Sequence, residues 1–162
     1  VLTISDAGAK GERADTSGDA IAAWAASKGH EVSNRAIVAD DTVEIARALL
    51  DWADNDKADL ILTTGGTGLS PRDRTPEATR AVIEVEAPGL IERIRVSTLA
   101  SFPRGALSRA VAGIRNRSVI VNLPGSTGGV KDALAALESI IQHACDIARE
   151  SATDHSPGKG TA

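Results

Sequence analysis

Between Leu60 and Arg80 the chain reads LILTTGGTGLSPRDRTPEATR: an apolar run, then Gly65, Gly66, Thr67 and Gly68, then Asp73, then a helix start. Successive glycines let backbone N–H groups approach an anion closely, and the N-terminus of a following helix adds positive potential. The stretch fits neither G-x-x-x-x-G-K-[ST] nor G-x-G-x-x-G, so it follows no common phosphate-loop rule. Asp73 raises the chemical question, because a carboxylate repels phosphate unless a cation lies between them. Mg²⁺, held by one or two carboxylates together with phosphate oxygens and water, resolves that conflict. Asp40-Asp41 ends another expected strand and can place a second carboxylate on the same rim. Plainer readings compete. Turn chemistry and capping explain most Asp-Asp pairs of this kind. An Asx-type turn before Thr75, or a salt bridge to Arg72 or Arg74, would equally account for Asp73.

Two more loops share the design of an apolar strand, a Gly/Ser/Asp-rich link and a helix start. SDAGAKGERADTSG follows VLTI, and PGSTGG follows the apolar run 119–123. In a parallel sheet all three lie at the carboxyl ends of strands, where open α/β folds bind ligands near the point at which strand order reverses. One such loop is as often a glycine-rich corner. Three together point to a phosphorylated ligand.

The elements that must position these loops follow from periodicity and punctuation. Val1 to Ile4 predicts a buried strand, and a long polar loop then leads to a helix beginning near Ser17-Gly18-Asp19. Ile21, Trp24 and Ala25 mark that helix's inner face, and Gly29 its stop. Val32 to Val38 predicts a second strand. Thr42 then caps a helix whose Ile45, Ala46, Leu49, Leu50 and Ala53 form a stripe. Leu60 to Thr64 is apolar at successive positions, as in a strand covered on both faces. Thr75-Pro76-Glu77 reads as a cap, a proline at the first helical position and an acid at the positive dipole end. Pro88-Gly89-Leu90 starts a further helix through about Ser101. Val119 to Leu123 is another strand, and Val130 to Ala148 one long helix. Alternating strands and helices imply an α/β three-layer sandwich, a mostly parallel sheet with helices on both faces. Residues 1–149 form one domain, and the polar segment 150–162 reads as a disordered tail.

Composition narrows the function. The chain has 162 residues, a net charge of −4 and only Trp24, Trp52 and Phe102 as aromatics. It offers neither the basic surface nor the stacking platform of a nucleic-acid binder. Cys145 is the only cysteine, which excludes an internal disulfide and cysteine-based zinc sites. No apolar run approaches membrane-spanning length, so the expected setting is cytoplasmic.

Taken in order, LTISD, GERADTSG, VADD, LTTGGTGLSPRDRTPEAT, ALSRAVAGIRN and VIVNLPGS resemble the molybdenum-cofactor biosynthesis family over Val1 to about Arg149. More narrowly, they resemble its single-domain molybdopterin adenylyltransferases and close relatives. The resemblance implies Mg·ATP-dependent transfer of AMP to the terminal phosphate of molybdopterin, with release of pyrophosphate, by a homotrimer. It implies Asp40 and Asp73 as the functional aspartates and Mg²⁺ ligands, with Asp73 the stronger candidate. It implies Gly65, Gly66, Thr67 and Gly68 as the phosphate cradle, and Ser5, Asp6, Pro124, Gly125 and Ser126 as crevice residues. Ser108 and Arg109 would border the pterin, although a helix cap and a surface charge would explain them as well. A serine that some relatives carry upstream corresponds to Thr98, and Thr127 replaces the commoner proline after LPGS. Some relatives bind the pterin without catalysing, so a non-catalytic molybdopterin- or nucleotide-binding paralogue is the alternative.

Overall fold

The computed structural model describes residues 1–55 and 58–149, so the expected tail lies outside the described residues. In chain order the elements are β1 (Leu2–Ile4), α1 (Asp6–Ala9), α2 (Thr16–Ser27), β2 (Ala36–Val38), α3 (Thr42–Asp54), β3 (Leu60–Thr64) and α4 (Thr75–Val82). There follow β4 (Val85–Glu86), α5 (Pro88–Thr98), a 3-10 turn (Pro103–Leu107), β5 (Ala112–Arg115), β6 (Ser118–Leu123), α6 (Thr127–Leu137) and α7 (Ile141–Ala148). The sheet runs β2-β1-β3-β6-β5-β4. Its first four strands are parallel, while β5 and β4 join by antiparallel pairing.

Period-two alternation divides the core into two layers. Val119, Val121 and Leu123 of β6 and Leu62 of β3 face α2, α5, α6 and α7. Ile120 and Ile61 point the other way, with Leu2 and Ile4, against Ile45, Leu49, Trp52 and Ala53 of α3 and Ala78 and Val82 of α4. The three-layer α/β expectation holds, and β3 has the predicted bounds.

Several local expectations are corrected. The first loop contains the short helix α1, capped by Ser5, whose Oγ accepts from the Gly8 N–H at 3.1 Å. Asp15 caps α2 by accepting from the Gly18 N–H, and Asp41 rather than Thr42 caps α3. Strand pairing begins at Ala36, not Val32. Thr75 does not cap α4: its hydroxyl donates to the Gly65 carbonyl at 2.9 Å. The long C-terminal helix is broken between Leu137 and Ile141, yet Val130, Leu134, Leu137, Ile141 and Cys145 all stay buried in one layer. β4 and β5 were not anticipated. Asn116 and Arg117, both at positive φ, turn β5 tightly into β6, as a two-residue hairpin loop requires.

Candidate functional site

All four parallel strands deliver their loops to one rim. β1 runs into Ser5-Asp6, β2 into Asp40, β3 into the Gly65–Gly68 stretch, and β6 into Pro124-Gly125-Ser126. Order reverses between β1 and β3, because β1 has β2 on its other side. The rim can be this compact only because glycines line it. A Cβ on Gly65, where φ is +100°, would sit 2.3 Å from the Ile4 carbonyl oxygen. A Cβ on Gly125 would in turn lie 3.2 Å from the Gly65 Cα, and the Thr64 hydroxyl donates to the Pro124 carbonyl at 2.7 Å.

The acids gather against the same glycines. Asp40 Oδ1 lies 2.9 Å from where a Cβ on Gly66 would be, and Asp73 Oδ2 lies 2.8 Å from the corresponding point on Gly68. Asp6 and Asp40 are tied reciprocally: the Asp6 N–H donates to Asp40 Oδ2 at 3.2 Å, and the Asp40 N–H to Asp6 Oδ1 at 3.0 Å. Arg72 bonds Asp6 Oδ2 through Nε at 3.1 Å and Nη2 at 2.5 Å. That guanidinium, helped by the Asp40 N–H, holds the Asp6 carboxyl below the usual range. Burial first, and then the charges of Asp6 and Asp73, push the Asp40 carboxyl up.

The plainer readings of the aspartates can now be separated. Asp41 is the helix cap, accepting from the Val43 and Glu44 N–H groups, and Asp40 is left facing the rim. Asp73 does close a local turn, since Oδ2 accepts from the Ser70 N–H at 2.9 Å. Neither Arg72 nor Arg74 pairs with it among the described residues. Asp40 Oδ1 and Asp73 Oδ1 accept no hydrogen bond among the described residues, so each keeps a free oxygen.

This donor set suits a small, hard divalent cation. Hard carboxylate oxygens are at hand, and Asp40 bears a charge that its surroundings disfavour. Among the described residues no three His, Cys, Asp or Glu side chains converge as a complete metal centre. A cation there would complete its shell with phosphate oxygens and water, as Mg²⁺ commonly does.

Beside Asp73 a crevice of about 400 Å³ opens, with Gly66, Thr98, Phe102, Ser108 and Ser126 also among its walls, whereas Asp6 and Asp40 do not line it. Ser108 and Thr98 both line this crevice, and Thr98 spends its hydroxyl proton on the Ile94 carbonyl. Ser126 Oγ accepts from the Gly129 N–H and caps α6, and Ser108 Oγ accepts from the Ala110 N–H. Ser5 and Ser126 are therefore caps at the rim, their backbones fixed by those bonds.

Two positioning residues were not legible. Arg109 is no loose surface charge. Its backbone N–H donates to the Thr67 carbonyl, Nε to the Gly68 carbonyl at 2.7 Å, and Nη2 to the Asp73 carbonyl at 2.9 Å. Nη1 pairs with Glu77, so one guanidinium ties the Gly68 and Asp73 carbonyls to α4. Asn122 is fully buried in β6. Its amide donates to the hydroxyls of Thr63 and Thr79, and its Oδ1 accepts from the Val111 N–H. The N of NLPGS was the available signal, since an Asn inside an apolar strand has to be satisfied.

Comparison with known proteins agrees with this architecture. Residues 1–143 match the family described as "Probable molybdopterin binding domain". The molybdopterin adenylyltransferase of Helicobacter pylori J99 is 39% identical, covering 91% of this chain and 85% of its own. That of Escherichia coli K12 is 36% identical, covering 85% and 72%. The crystal structure of the molybdopterin biosynthesis enzyme MoaB from Thermus thermophilus superposes with a TM-score of 0.87 at 47% identity, covering 92% of this chain and 94% of that one. The sequence match along nearly the whole domain and the shared sheet topology lead to one conclusion: this chain belongs to the molybdenum-cofactor biosynthesis family.

Proposed function

We propose that the chain is a molybdopterin adenylyltransferase, joining AMP from ATP to the terminal phosphate of molybdopterin and releasing pyrophosphate. The observation that carries this reading is the placement of Asp40 and Asp73 against Gly66 and Gly68, each with a free carboxylate oxygen. A site for an anion alone would be weakened by both acids. A site for phosphates that arrive with a cation requires them.

In this reading Asp73 and Asp40 hold Mg²⁺, which when bound neutralises charge on the phosphates. A phosphate oxygen of the pterin attacks the α-phosphorus of ATP, and the bond from that phosphorus to the bridging oxygen of the leaving pyrophosphate breaks. The attacking phosphate is already ionised, so no side chain has to remove a proton. The chain's contribution is positioning and charge complementarity. The Gly65–Gly68 stretch offers close backbone approach to phosphate, and the crevice walled by Thr98, Phe102 and Ser108 accommodates the pterin. Arg109 keeps the glycine loop and the Asp73 backbone in register. A homotrimeric assembly belongs to the same reading, and light scattering would test it against the chain mass of 16.7 kDa.

The direct test is pyrophosphate release from Mg·ATP with molybdopterin present, comparing the intact chain with Asp73→Asn. The expected result is pterin-dependent release that falls by at least about a hundredfold in the variant. Pterin binding without release by the intact chain would replace the enzyme with a non-catalytic molybdopterin-binding paralogue.

A further inference from the structure

The acidic rim carries its own counter-ion. Asp6 and Asp40 are bonded to each other's backbones there with Asp73 in electrostatic reach of Asp40, and among the described residues Arg72 is the only cationic side chain bonded to one of these three carboxylates. It grips Asp6 with two nitrogens, at 3.1 and 2.5 Å, and lies within electrostatic reach of Asp40. Arg72 also immediately precedes Asp73, so its guanidinium and that carboxylate share one loop.

We propose that Arg72 is an exchangeable counter-ion, which holds Asp6 while the site is empty and moves its guanidinium fork onto the nucleotide's phosphates when a divalent cation takes the carboxylates. The inference rests on the reading of this rim as a site for a magnesium–nucleotide complex.

Three physical points carry it. The first is charge. Asp6, Asp40, Asp41 and Asp73 against Arg72 and Lys10, which reaches Asp6 only electrostatically, leave the rim two charges negative, which one divalent cation cancels. Arriving phosphates then need a new cation, and Arg72 is the one in place. The second is ease of exchange. The pair is exposed, 67% at the Arg72 side chain and 38% at Asp6, and exposed ion pairs are held weakly. The third is shape. Arg72 gives two nitrogens to the single oxygen Oδ2 of Asp6, and a phosphate can take the same two nitrogens on one or two of its oxygens, so the switch costs Arg72 no bonding. A lysine would offer a point charge only.

The experiment is calorimetric titration without molybdopterin, so that no transfer intervenes. Mn²⁺ alone is the first probe, and ATP at saturating Mg²⁺ the second. Arg72→Gln should bind Mn²⁺ about two- to fivefold more tightly, because the carboxylates lose a competitor. The same variant should bind ATP about tenfold more weakly, because a charge-assisted contact to phosphate is gone. Arg72→Lys should leave Mn²⁺ binding near that of the intact chain and lose part of the ATP affinity. Opposite signs for the two ligands are the signature, since a distorted loop would weaken both. Arg74→Gln, which removes an equal charge two residues away, should move neither by more than about twofold.

Weakening of both ligands by Arg72→Gln, an unchanged ATP affinity, or the same pair of shifts in Arg74→Gln would each overturn the inference. An intact chain that binds neither Mn²⁺ nor ATP would sink the magnesium–nucleotide reading and this inference with it. Normal binding in the intact chain with no opposed shifts would sink only the role of Arg72.

Discussion

At Gly65 the absence of one side-chain carbon fixes the geometry of the rim. A Cβ there would lie 2.3 Å from the Ile4 carbonyl oxygen, and φ of +100° is one that L side chains resist. Gly65→Ala should therefore cost at least about 2 kcal/mol, read as a lower urea midpoint with unchanged slope. Gly128 provides the contrast. It lies in the first turn of α6, and beyond its chain neighbours and the helix's own backbone nothing comes within 4 Å of its would-be Cβ, so Gly128→Ala should be neutral or stabilise by up to about 1 kcal/mol. Asp40 supplies a residue-scale prediction of the opposite kind. Its carboxyl is a weaker acid in the folded chain than in the unfolded one, chiefly through burial. As pH rises past about 4 the unfolded chain ionises first, so Asp40 subtracts from stability, fully above its folded pKa and not at all below its unfolded one. Asp6, held below the usual range by Arg72, works the other way: it adds stability above its unfolded value and loses it as pH falls through its folded pKa. Asp40→Asn keeps an oxygen to accept from the Asp6 N–H and removes the charge. It should raise the melting temperature at pH 7 by about 1–2 °C, and that gain should vanish near pH 3 in a calorimetric series. Activity should fall in the same variant, because a charge that burdens the fold is the one proposed to serve the ligand.

Asn122 works at the scale of elements, joining β6 to β3, α4 and the segment leading into β5 through one amide. Replacing it by Leu would leave the Val111 N–H unpaired and remove a shared donor from two buried threonine hydroxyls. Asn122→Leu should cost about 2–4 kcal/mol in urea unfolding. The same strand shows why element prediction succeeded where it did. β3 and β6 are apolar on consecutive residues and covered by helices on both faces, so their runs stand out in the sequence. β4 has two residues, both exposed, and β5 interrupts its apolar residues with Gly113, so neither carries a periodic signal. Gly113 itself is dictated by tertiary contact, since a Cβ there would meet the Val85 carbonyl oxygen at 2.6 Å. The hairpin after β5 is turned by Asn116-Arg117, where the usual sequence cue is Asn-Gly. The break between α6 and α7 was hidden because the buried stripe continues across it.

At the scale of the whole molecule, the site was legible as a set of loops and illegible as a set of bonds. Glycine-rich loops at strand ends imply a common rim once the sheet is parallel, which is why Asp40, Asp73 and Gly65 to Gly68 could be grouped in advance. Which acid caps a helix, and which cation holds which carboxylate, depends on contacts between residues dozens of positions apart. Arg72 with Asp6 and Arg109 with Gly68 are of that kind. Because the rim draws on four parallel strands spread across the sheet, a ligand seated there would hold most of the molecule together. Opening any one of those loops would then require releasing it, so binding energy should appear as global rather than local stability. At a hundredfold excess over its dissociation constant such a ligand adds about 2.7 kcal/mol. For a chain of this length that corresponds to a rise of about 5–10 °C in melting temperature. Mg·ATP should produce a shift of that order in the intact chain and in Gly128→Ala. It should produce little in Asp73→Asn, which keeps the Ser70 turn but has no charge to offer the cation. As pH falls through the raised folded pKa of Asp40 the shift should shrink in the intact chain as well, because one of the carboxylates proposed to hold the cation becomes protonated. A shift from ATP in the absence of any divalent cation, equal in the intact chain and in Asp73→Asn, would mean that the nucleotide is held without the acids, and the rim would have to be read as a plain anion cradle.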